Sequence, residues 1–367
     1  MKFPNKYLRN IRPYKLASHK IWSVVPDDRN KILKLDWNES TISPSPLVMN
    51  RVRSLLEQPD FFNLYPATVN DNLLHLLSQY VGLPTENIQY FAGSDVLHEY
   101  ICKSFITVGD PVMILAPSYD NFRLTCQANG ADVIFSYYKD DFTFDAEQFE
   151  KDIITYEPAV VYICNPNNPT GNVHSVEYIS HLLNEFPDTL FCVDEAYYEF
   201  SGITVKDLVL QNDNLLITRT MSKAFGIANF RVGYLIASKE NVQFINKIRN
   251  PKNLSTIAQV AACASLEDAQ YMWNYVKEVQ EAKDYFVTEC QKWTDIVVHE
   301  SYGNFVLVEF KSIEKKKHLL SYLNSNNIFV RDTTHADCVQ KCFRITIGNK
   351  EQMQRVIDVI SDYYGNY

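Results

Sequence analysis

The sequence contains no apolar run that approaches the ~18 residues needed to cross a membrane. Its first residues, 1–6, are not followed by an apolar signal core either. An excess of positive charge is also missing, because 35 lysines and arginines stand against 44 acidic residues and give a formal net charge of −9. These absences argue against a membrane protein, an exported protein and a nucleic-acid partner. The one basic run, residues 315–317, is expected on a solvated helix face.

The eight cysteines form neither a disulfide framework nor a complete metal set. Four of them lie in apolar stretches: Cys102, Cys164, Cys192 and Cys263. This setting is typical of small buried side chains in a reducing compartment. Cys338 and Cys342 are four residues apart, but no histidine or further cysteine pair completes the four ligands that zinc prefers. We therefore expect a cytoplasmic protein with no metal site.

Between residues 85 and 240, short apolar runs alternate with longer amphipathic stretches. The clearest runs cover residues 111–115, 160–164, 190–193 and 215–218. Strands that are apolar throughout favour a sheet covered on both faces, which predicts an α/β fold with a mostly parallel central sheet flanked by helices. Each run ends in polar or turn-forming residues, so a site is expected beyond the carboxyl ends of the strands.

After residue 257 the pattern changes to one long helical stretch that reaches residue 293. Strand-like segments follow at residues 304–310, 328–330 and 343–347, and a last helix is expected from residue 350. This mixture predicts a smaller α+β domain. We expect three parts: an N-terminal segment (residues 1–40) that packs on the small domain, a large cofactor-binding domain (residues 41–260) and the small domain (residues 261–367).

Four polar side chains near the ends of these runs suit a cofactor that carries an aldehyde: Lys223, Asp194, Tyr197 and Asn168. Burial near cations would lower the pKa of Lys223 and free its amine to attack the aldehyde. Asp194 ends an apolar run, where a buried carboxylate needs a cation such as a protonated pyridine nitrogen. Tyr197 and the Asn168 amide can reach a ring oxygen. Pyridoxal phosphate (PLP) has all three of these groups: an aldehyde, a pyridine nitrogen that can be protonated and a ring oxygen.

Each of these residues also has a simpler interpretation when it is taken alone. Lys223 suits a surface turn, Asp194 a helix N-cap and Tyr197 the packing of the core. Asn168 suits a common Asn-Pro turn. Only their combination favours the cofactor.

The phosphate of such a cofactor needs backbone amides at a helix start and a cation. Ser94 and Asp95 open an amphipathic helix after an apolar strand, and Ser222 and Arg231 are expected to complete the cup. Ser94 or Asp95 also suits a helix N-cap. Tyr119 is expected either to stack on the pyridine ring or to pack as an ordinary aromatic side chain.

The chain resembles fold-type I PLP-dependent enzymes of the aspartate aminotransferase superfamily and, among them, the histidinol-phosphate aminotransferases. The likeness runs from about Asn10 to the C-terminal helix. Its most specific stretches are residues 165–171 (Asn-Pro-Asn-Asn-Pro-Thr-Gly), 194–200 (Asp-Glu-Ala-Tyr-Tyr-Glu-Phe), 222–231 and 343–348. The resemblance implies an aminotransferase of amino-acid biosynthesis with ping-pong kinetics. It would exchange an amino group between a phosphorylated or acidic amine and 2-oxoglutarate.

Matching residues imply roles for individual side chains. Lys223 would be the Schiff-base and proton-transferring lysine, and Asp194 would bind the pyridinium. The other cofactor contacts implied are Tyr197 and Asn168 at the ring oxygen, and Ser222, Arg231 and the backbone at Ser94 and Asp95 at the phosphate.

Further matches concern the neighbouring subunit and the substrate. Tyr65 matches a tyrosine that reaches the phosphate of the other subunit, which implies a homodimer with shared active sites. Arg344 matches the arginine that binds the anionic group of the substrate. Three more residues are expected to line the substrate pocket: Tyr14, Asn38 and Arg331.

Three stretches depart from the usual pattern of the family: Asn-Glu-Ser-Thr at residues 38–41, Ala-Asn-Phe-Arg at residues 228–231 and Pro-Lys-Asn at residues 251–253. The last places Lys252 near the expected pocket entrance. Because these differences affect the substrate rather than the cofactor, two alternatives stay open. One is a decarboxylase of a phosphorylated amino acid, similar to threonine-phosphate decarboxylase, and the other is an aminotransferase for another substrate in cofactor or polysaccharide biosynthesis.

Overall fold

The computed structural model describes residues 5–13, 20–334 and 336–366. The strands in this part of the chain are β1 (Leu33–Leu35), β2 (Ile88–Phe91), β3 (Pro111–Ala116), β4 (Asp132–Tyr137), β5 (Val160–Cys164), β6 (Leu190–Asp194), β7 (Leu215–Thr220), β8 (Gly233–Ala237), β9 (Ile296–Val298), β10 (Phe305–Phe310), β11 (Ile328–Asp332) and β12 (Cys342–Thr346).

The α-helices of the same part are α1 (Pro46–Leu56), α2 (Asp71–Val81), α3 (Ser94–Phe105), α4 (Asn121–Ala128), α5 (Ala146–Tyr156), α6 (Val176–Glu185), α7 (Tyr198–Ser201), α8 (Lys239–Asn246), α9 (Thr256–Glu267), α10 (Ala269–Cys290), α11 (Ile313–Ser325) and α12 (Lys350–Asn366). No described helix has both the length and the apolar character that a membrane crossing requires.

The larger sheet has seven strands in the order β2-β8-β7-β6-β5-β3-β4. Within it only β8 runs antiparallel to its neighbours, so the prediction of a mostly parallel sheet is confirmed. Along β5, Val161 and Ile163 pack into one core cluster, and Val160 and Tyr162 pack into another. Because successive side chains of a strand point to opposite faces, helices cover the sheet on both sides.

Local sequence explains where the helices between these strands begin and end. The hydroxyl of Ser175 accepts a hydrogen bond from the amide of Tyr178 at 3.1 Å, and Asn70 caps α2 through the amide of Leu73 at 2.9 Å. Such caps satisfy amides that have no partner inside the helix. Helix α2 ends at Gly82, whose φ of 77° favours glycine. The alternation of strand and helix places the carboxyl ends of β3, β5, β6 and β7 along one edge of the sheet.

The smaller sheet has five strands in the order β1-β11-β12-β10-β9. Strand β1 pairs in parallel with β11, so part of the N-terminal segment joins this sheet. Residues near the start of the chain contact a helix beside the larger sheet, because Arg123 of α4 donates to the carbonyl of Arg12 at 3.2 Å. The N-terminal segment therefore contacts elements of both sheets, and the domain bounds given above stay a prediction.

The helical stretch expected between residues 257 and 293 is present as two consecutive helices, α9 and α10, because Asp268 leaves the helical region with φ −119° and ψ 44°. Aspartate is a poor interior helix former, since its side chain competes for backbone hydrogen bonds. Of the basic run, Lys315 and Lys317 are exposed as expected, but the prediction was wrong for Lys316. This lysine is fully buried, and its ammonium donates to Asp332, Thr334 and the carbonyl of Gln340.

Candidate active site

Asp194 lies at the carboxyl end of β6 and is only 2% exposed. Its Oδ2 accepts a hydrogen bond from the hydroxyl of Tyr162 at 2.7 Å, and its Oδ1 accepts one from the amide of Ala196 at 3.1 Å. The imidazole of His98 is also near, with Nε2 3.5 Å from Oδ2. Among the described residues no lysine or arginine forms an ion pair with this carboxylate. A buried carboxyl group thus lies at the strand end without a cation from the part of the chain that the structure describes.

Lys223 follows β7 and points toward the polypeptide that leaves β1. Its Nζ donates a hydrogen bond to the carbonyl of Trp37 at 2.9 Å and lies 5.8 Å from the ring centroid of Tyr197. Burial, with a smaller effect from the cation of Arg344, lowers the pKa of Lys223 to about 8. A lysine with this pKa releases its proton near neutral pH, so its amine suits nucleophilic attack and proton transfer.

Tyr197 connects the large sheet to the chain segment after β1. Asn38 donates from Nδ2 to the Tyr197 hydroxyl at 3.1 Å, and Asn38 Oδ1 accepts from the hydroxyl of Thr346 at 3.1 Å. Asn38 is fully buried with φ 55°, a left-handed conformation that asparagine adopts more readily than most residues. Burial raises the pKa of Tyr197, so its hydroxyl stays neutral and can donate.

A pocket beside these residues brings together two arginines. Arg331 of β11 is directly opposite Arg344 of β12, and both side chains are 8% exposed. Arg344 donates from Nη1 to Asn168 Oδ1 at 2.5 Å and from Nη2 to the carbonyl of Asp36 at 2.7 Å. Tyr119 and Asn168 line the same pocket. The two predicted substrate arginines and two predicted cofactor residues, Tyr119 and Asn168, are therefore close in space.

The residues expected to form the phosphate cup also come together. Arg231 Nη2 pairs with Asp95 at 3.1 Å, and Arg231 Nη1 donates to Ser222 Oγ at 3.3 Å. The other oxygen of Asp95 accepts from the hydroxyl of Tyr119 at 2.9 Å. Arg231 is 47% exposed, so its cation is accessible to an anion at the start of α3, where Ser94 is the first helical residue.

Two glycines allow this approach. A Cβ on Gly93 would lie 2.7 Å from Arg231 Nη2, and a Cβ on Gly233 would lie 2.5 Å from the amide nitrogen of Ser94. Gly93 also has φ 92°, which a larger residue rarely adopts. Any side chain at either position would displace Arg231 or the start of α3 from the cup.

Two predicted site residues are not in this group. Tyr65 is 80% exposed, and its ring lies 4.2 Å from the Nζ of Lys252. Tyr14 lies outside the described residues.

Sequence reasoning missed several residues that contact the predicted site residues, among them Tyr162, His98 and Trp37. Tyr162 lies within the apolar strand β5, and His98 lies on α3 four residues after Ser94. A polar side chain on the buried face of an element was the only available signal. Trp37 contributes its carbonyl, which no side-chain pattern reveals.

Comparison with known proteins decides the family. A profile of the family described as aminotransferase class I and II matches residues 30–360. The chain belongs to this family.

Individual relatives agree with this assignment. The chain is 39% identical over 363 residues to a dihydroxyacetone phosphate transaminase from Campylobacter jejuni, a match that covers 98% of this chain and 96% of that protein. It is 33% identical over 349 residues to a histidinol-phosphate aminotransferase from Ruminiclostridium cellulolyticum, with 94% and 96% covered. A solved structure of histidinol-phosphate aminotransferase from Sinorhizobium meliloti in complex with pyridoxal-5'-phosphate has a TM-score of 0.84 at 24% identity, with 99% of each chain covered.

These matches confirm the fold-type I architecture and identify the chain as a PLP-dependent aminotransferase that resembles histidinol-phosphate aminotransferases. The side chains present fit this cofactor. Asp194 is a buried carboxylate that lacks a cation from the described chain and so suits a protonated ring nitrogen. Lys223 has the lowered pKa that bonding to an aldehyde requires. Arg231 and the start of α3 suit a phosphate. The residue assignments themselves stay predictions.

Proposed function

We propose that this aminotransferase moves an amino group between glutamate and a small phosphorylated substrate, and that Arg331 and Arg344 bind the phosphate. The observation that carries this proposal is the pairing of these two buried arginines on neighbouring strands of one pocket. Two guanidinium groups side by side match the double charge of a phosphate. The bonds from Arg344 to Asn168 and to the Asp36 carbonyl fix the direction of its guanidinium.

The relatives narrow the choice of phosphorylated substrate. The 39% identical relative is a dihydroxyacetone phosphate transaminase, whereas the 33% identical one is a histidinol-phosphate aminotransferase. We propose dihydroxyacetone phosphate as the amino acceptor and histidinol phosphate as the second candidate. Decarboxylation is supported by a likeness in fold alone, to L-threonine-O-3-phosphate decarboxylase from Porphyromonas gingivalis at 22% identity and a TM-score of 0.77.

We infer the following roles for the chain in this reaction. When bound, PLP would supply an aldehyde carbon that accepts the amino group and a ring that withdraws electrons from the substrate carbon bearing nitrogen. Lys223 Nζ would take the proton from that substrate carbon and deliver it to the aldehyde-derived carbon of the cofactor within the same half-reaction, since its lowered pKa lets it hold or release a proton near neutrality. Asp194 would bind the ring nitrogen, and the Tyr197 hydroxyl and the Asn168 amide would bind the ring oxygen. Arg344 and Arg331 orient the substrate over Lys223.

The test is a set of single half-reactions followed by the visible absorbance of the holoenzyme. Glutamate should convert the cofactor to its amino form, and dihydroxyacetone phosphate should restore the original band. Dihydroxyacetone without its phosphate is the matched control and should react at least about 100-fold more slowly. Equal rates for the two acceptors would contradict a phosphate site. A response to histidinol phosphate alone would make that compound the substrate, and release of carbon dioxide from phosphothreonine would establish the decarboxylase.

Two variants separate substrate binding from cofactor chemistry. Arg331→Gln should raise KM for the phosphorylated acceptor by about 10- to 100-fold, because one charge-assisted hydrogen-bond donor is lost. Its rate with unphosphorylated dihydroxyacetone should change little. Lys223→Ala should abolish turnover, and borohydride reduction of the wild-type holoenzyme should attach the cofactor to Lys223. Normal transamination by Lys223→Ala would refute the assignment of the lysine.

We also propose a homodimer in which Tyr65 serves the active site of the other subunit. Tyr65 is exposed on a segment that also exposes Phe62, Leu64 and Val69, as expected of a surface covered by a partner. The measurement is subunit complementation between Tyr65→Phe and Lys223→Ala chains. Hybrids should contain one site with both native residues and regain cofactor affinity there; a monomer by light scattering would refute the proposal.

A cytoplasmic location is inferred from the eight free cysteines.

A further inference from the structure

His98 connects the two ends of the predicted cofactor site through one helix. It lies in α3 four residues after Ser94, and residues four apart share a helix face. Its Nε2 is 3.2 Å from Thr218 Oγ1 and 3.5 Å from Asp194 Oδ2. Helix α3 therefore reaches the phosphate cup with its first residue and the Asp194 carboxylate one turn later.

Aromatic neighbours fix the plane of the His98 ring. The ring is fully buried and meets Phe122 edge-on, with centroids 5.4 Å apart and an angle of 90° between planes. It meets Tyr162 in the same way at 5.7 Å and 87°. Phe122 and Tyr162 stack on each other at 4.4 Å. Because these contacts leave little freedom for rotation, Nε2 stays directed at Thr218 and Asp194.

The surroundings also decide where the imidazole carries its proton. The titratable groups that act on the ring are Asp194 and Asp95, which favour the charged form, but burial outweighs them and lowers the pKa of His98. The ring is therefore neutral at neutral pH and has one N–H. Among the described residues Nδ1 has no hydrogen-bond partner, whereas Nε2 faces the carboxylate. The proton consequently belongs on Nε2, where it contributes a donor without cancelling the charge of Asp194.

We propose that His98 is a positioning residue that, together with Tyr162 and Thr218, holds the Asp194 carboxylate in the direction of the cofactor ring nitrogen. The proposal rests on the role of Asp194 given under Proposed function. Tyr162 and His98 approach Oδ2, and the Ala196 amide approaches Oδ1, so neutral donors hold both oxygens while the negative charge stays available to the ring. The alternative is that His98 only fills space between α3 and the sheet.

The experiment compares two cofactors on two variants. His98→Leu removes the N–H, and His98→Gln is the matched control because its amide keeps a donor. Dissociation constants are measured on the apoenzymes for PLP and for 1-deazapyridoxal phosphate, in which a CH group replaces the ring nitrogen. His98→Leu should bind PLP about 10-fold more weakly than the wild type, the effect of losing an N–H group that faces a buried carboxylate at 3.5 Å. It should bind the deaza compound with an affinity within about twofold of the wild type, and His98→Gln should stay near the wild type with both.

Each outcome decides the question. An equal loss of affinity for both cofactors, or no loss for either, overturns the proposal in favour of packing. If His98→Leu does not fold, His98→Phe takes its place, since its ring can make the same edge-on contacts with Phe122 and Tyr162. A chain that folds with neither replacement also favours packing alone. If the proposed cofactor site itself were wrong, the wild-type protein would show no visible cofactor band and no borohydride adduct on Lys223.

Discussion

Asp194 and Glu195 are adjacent carboxylates, both buried, in opposite environments. Glu195 Oε2 pairs with Arg219 Nη2 at 2.8 Å, and its Oε1 accepts the amide of Val205 at 2.7 Å. Asp194 points to the opposite face, where its described neighbours are neutral: the Tyr162 hydroxyl, the Ala196 amide and, at 3.5 Å, the His98 imidazole. Successive side chains in an extended segment alternate between faces, so one residue step separates the two environments.

The difference indicates which charge serves the fold and which serves a ligand. The Arg219 guanidinium that neutralises Glu195 also donates to Thr204 at 2.6 Å and stacks 3.5 Å from the ring centroid of Tyr198, so the pair is complete within the chain. Asp194 lies at the end of a strand that leads into the site, and none of the described lysines or arginines pairs with it. We infer that the cofactor supplies the missing cation.

Replacing Asp194 with asparagine should give the largest effect, a strong loss of reaction rate without a loss of apoenzyme stability. Asp194→Asn keeps the shape but loses the charge, so the rate of the glutamate half-reaction should fall by about 10²- to 10³-fold. The apoenzyme should unfold at the same or a higher denaturant concentration, because a buried charge without a cation has been removed. Stopped-flow absorbance and urea unfolding measure the two effects. If the Asp194→Asn apoenzyme lost as much stability as a protein in which a buried ion pair is broken, the inferred difference between Asp194 and Glu195 would be contradicted.

Replacing Glu195 with glutamine should give the reverse result. Glu195→Gln leaves Arg219 buried without its carboxylate, so the free energy of unfolding should fall by about 3 kcal/mol. The half-reaction rate of the protein that remains folded should change by no more than about threefold, since Glu195 faces away from the site. The double variant Glu195→Gln/Arg219→Met is the control and should recover part of the stability. A rate loss as large as that of Asp194→Asn would show that the two faces are coupled.

Glu199 is also a buried carboxyl group, and its effect on stability should depend on pH. It accepts from the Tyr80 hydroxyl at 3.3 Å, and no described group bonds its Oε2. Burial raises the pKa of Glu199 to about 8, which the nearby Arg219 only partly opposes. A carboxyl with a raised folded-state pKa stabilises the protein fully below its unfolded pKa and loses that contribution as pH rises toward 8.

Stability should therefore fall by up to about 3 kcal/mol between pH 5 and pH 8 in the wild type. Glu199→Gln should flatten this part of the profile, because glutamine does not titrate. Urea unfolding at several pH values measures the slope. A variant with the wild-type slope would show that Glu199 is ionised in the folded protein.

The sequence predicted the part of the site that lies at strand ends. Strands β5, β6 and β7 were recognised from the apolar runs at residues 160–164, 190–193 and 215–218. The polar residues after these runs were expected at one edge of the sheet, where Asp194 and Lys223 lie. The positions of these residues could be predicted because the carboxyl ends of parallel strands lie at the same edge of a sheet.

Contacts between distant elements were not predictable in the same way. His98 and Tyr162 belong to patterns that indicate core packing, and only the folded chain shows that both face Asp194. Arg331 and Arg344 were recognised separately from a resemblance, but their cross-strand pairing depends on the register of β11 against β12. Lys316 was misplaced because a basic run says nothing about which lysine finds acceptors.

Lys316 and Lys223 provide the last test, a counterpart to the two carboxylates. Lys316 donates to the Asp332 carboxylate at 2.9 Å, to Thr334 and to a carbonyl, whereas Lys223 donates to the Trp37 carbonyl. Lys316→Met should lower the free energy of unfolding by about 1–2 kcal/mol, less than a fully buried pair, because Asp332 is half exposed and can regain water. Lys223→Met should leave apoenzyme stability unchanged or higher, since burial already disfavours its charge. Equal losses in urea unfolding would mean that Lys223 supports the fold as Lys316 does, and that its lowered pKa is incidental to catalysis.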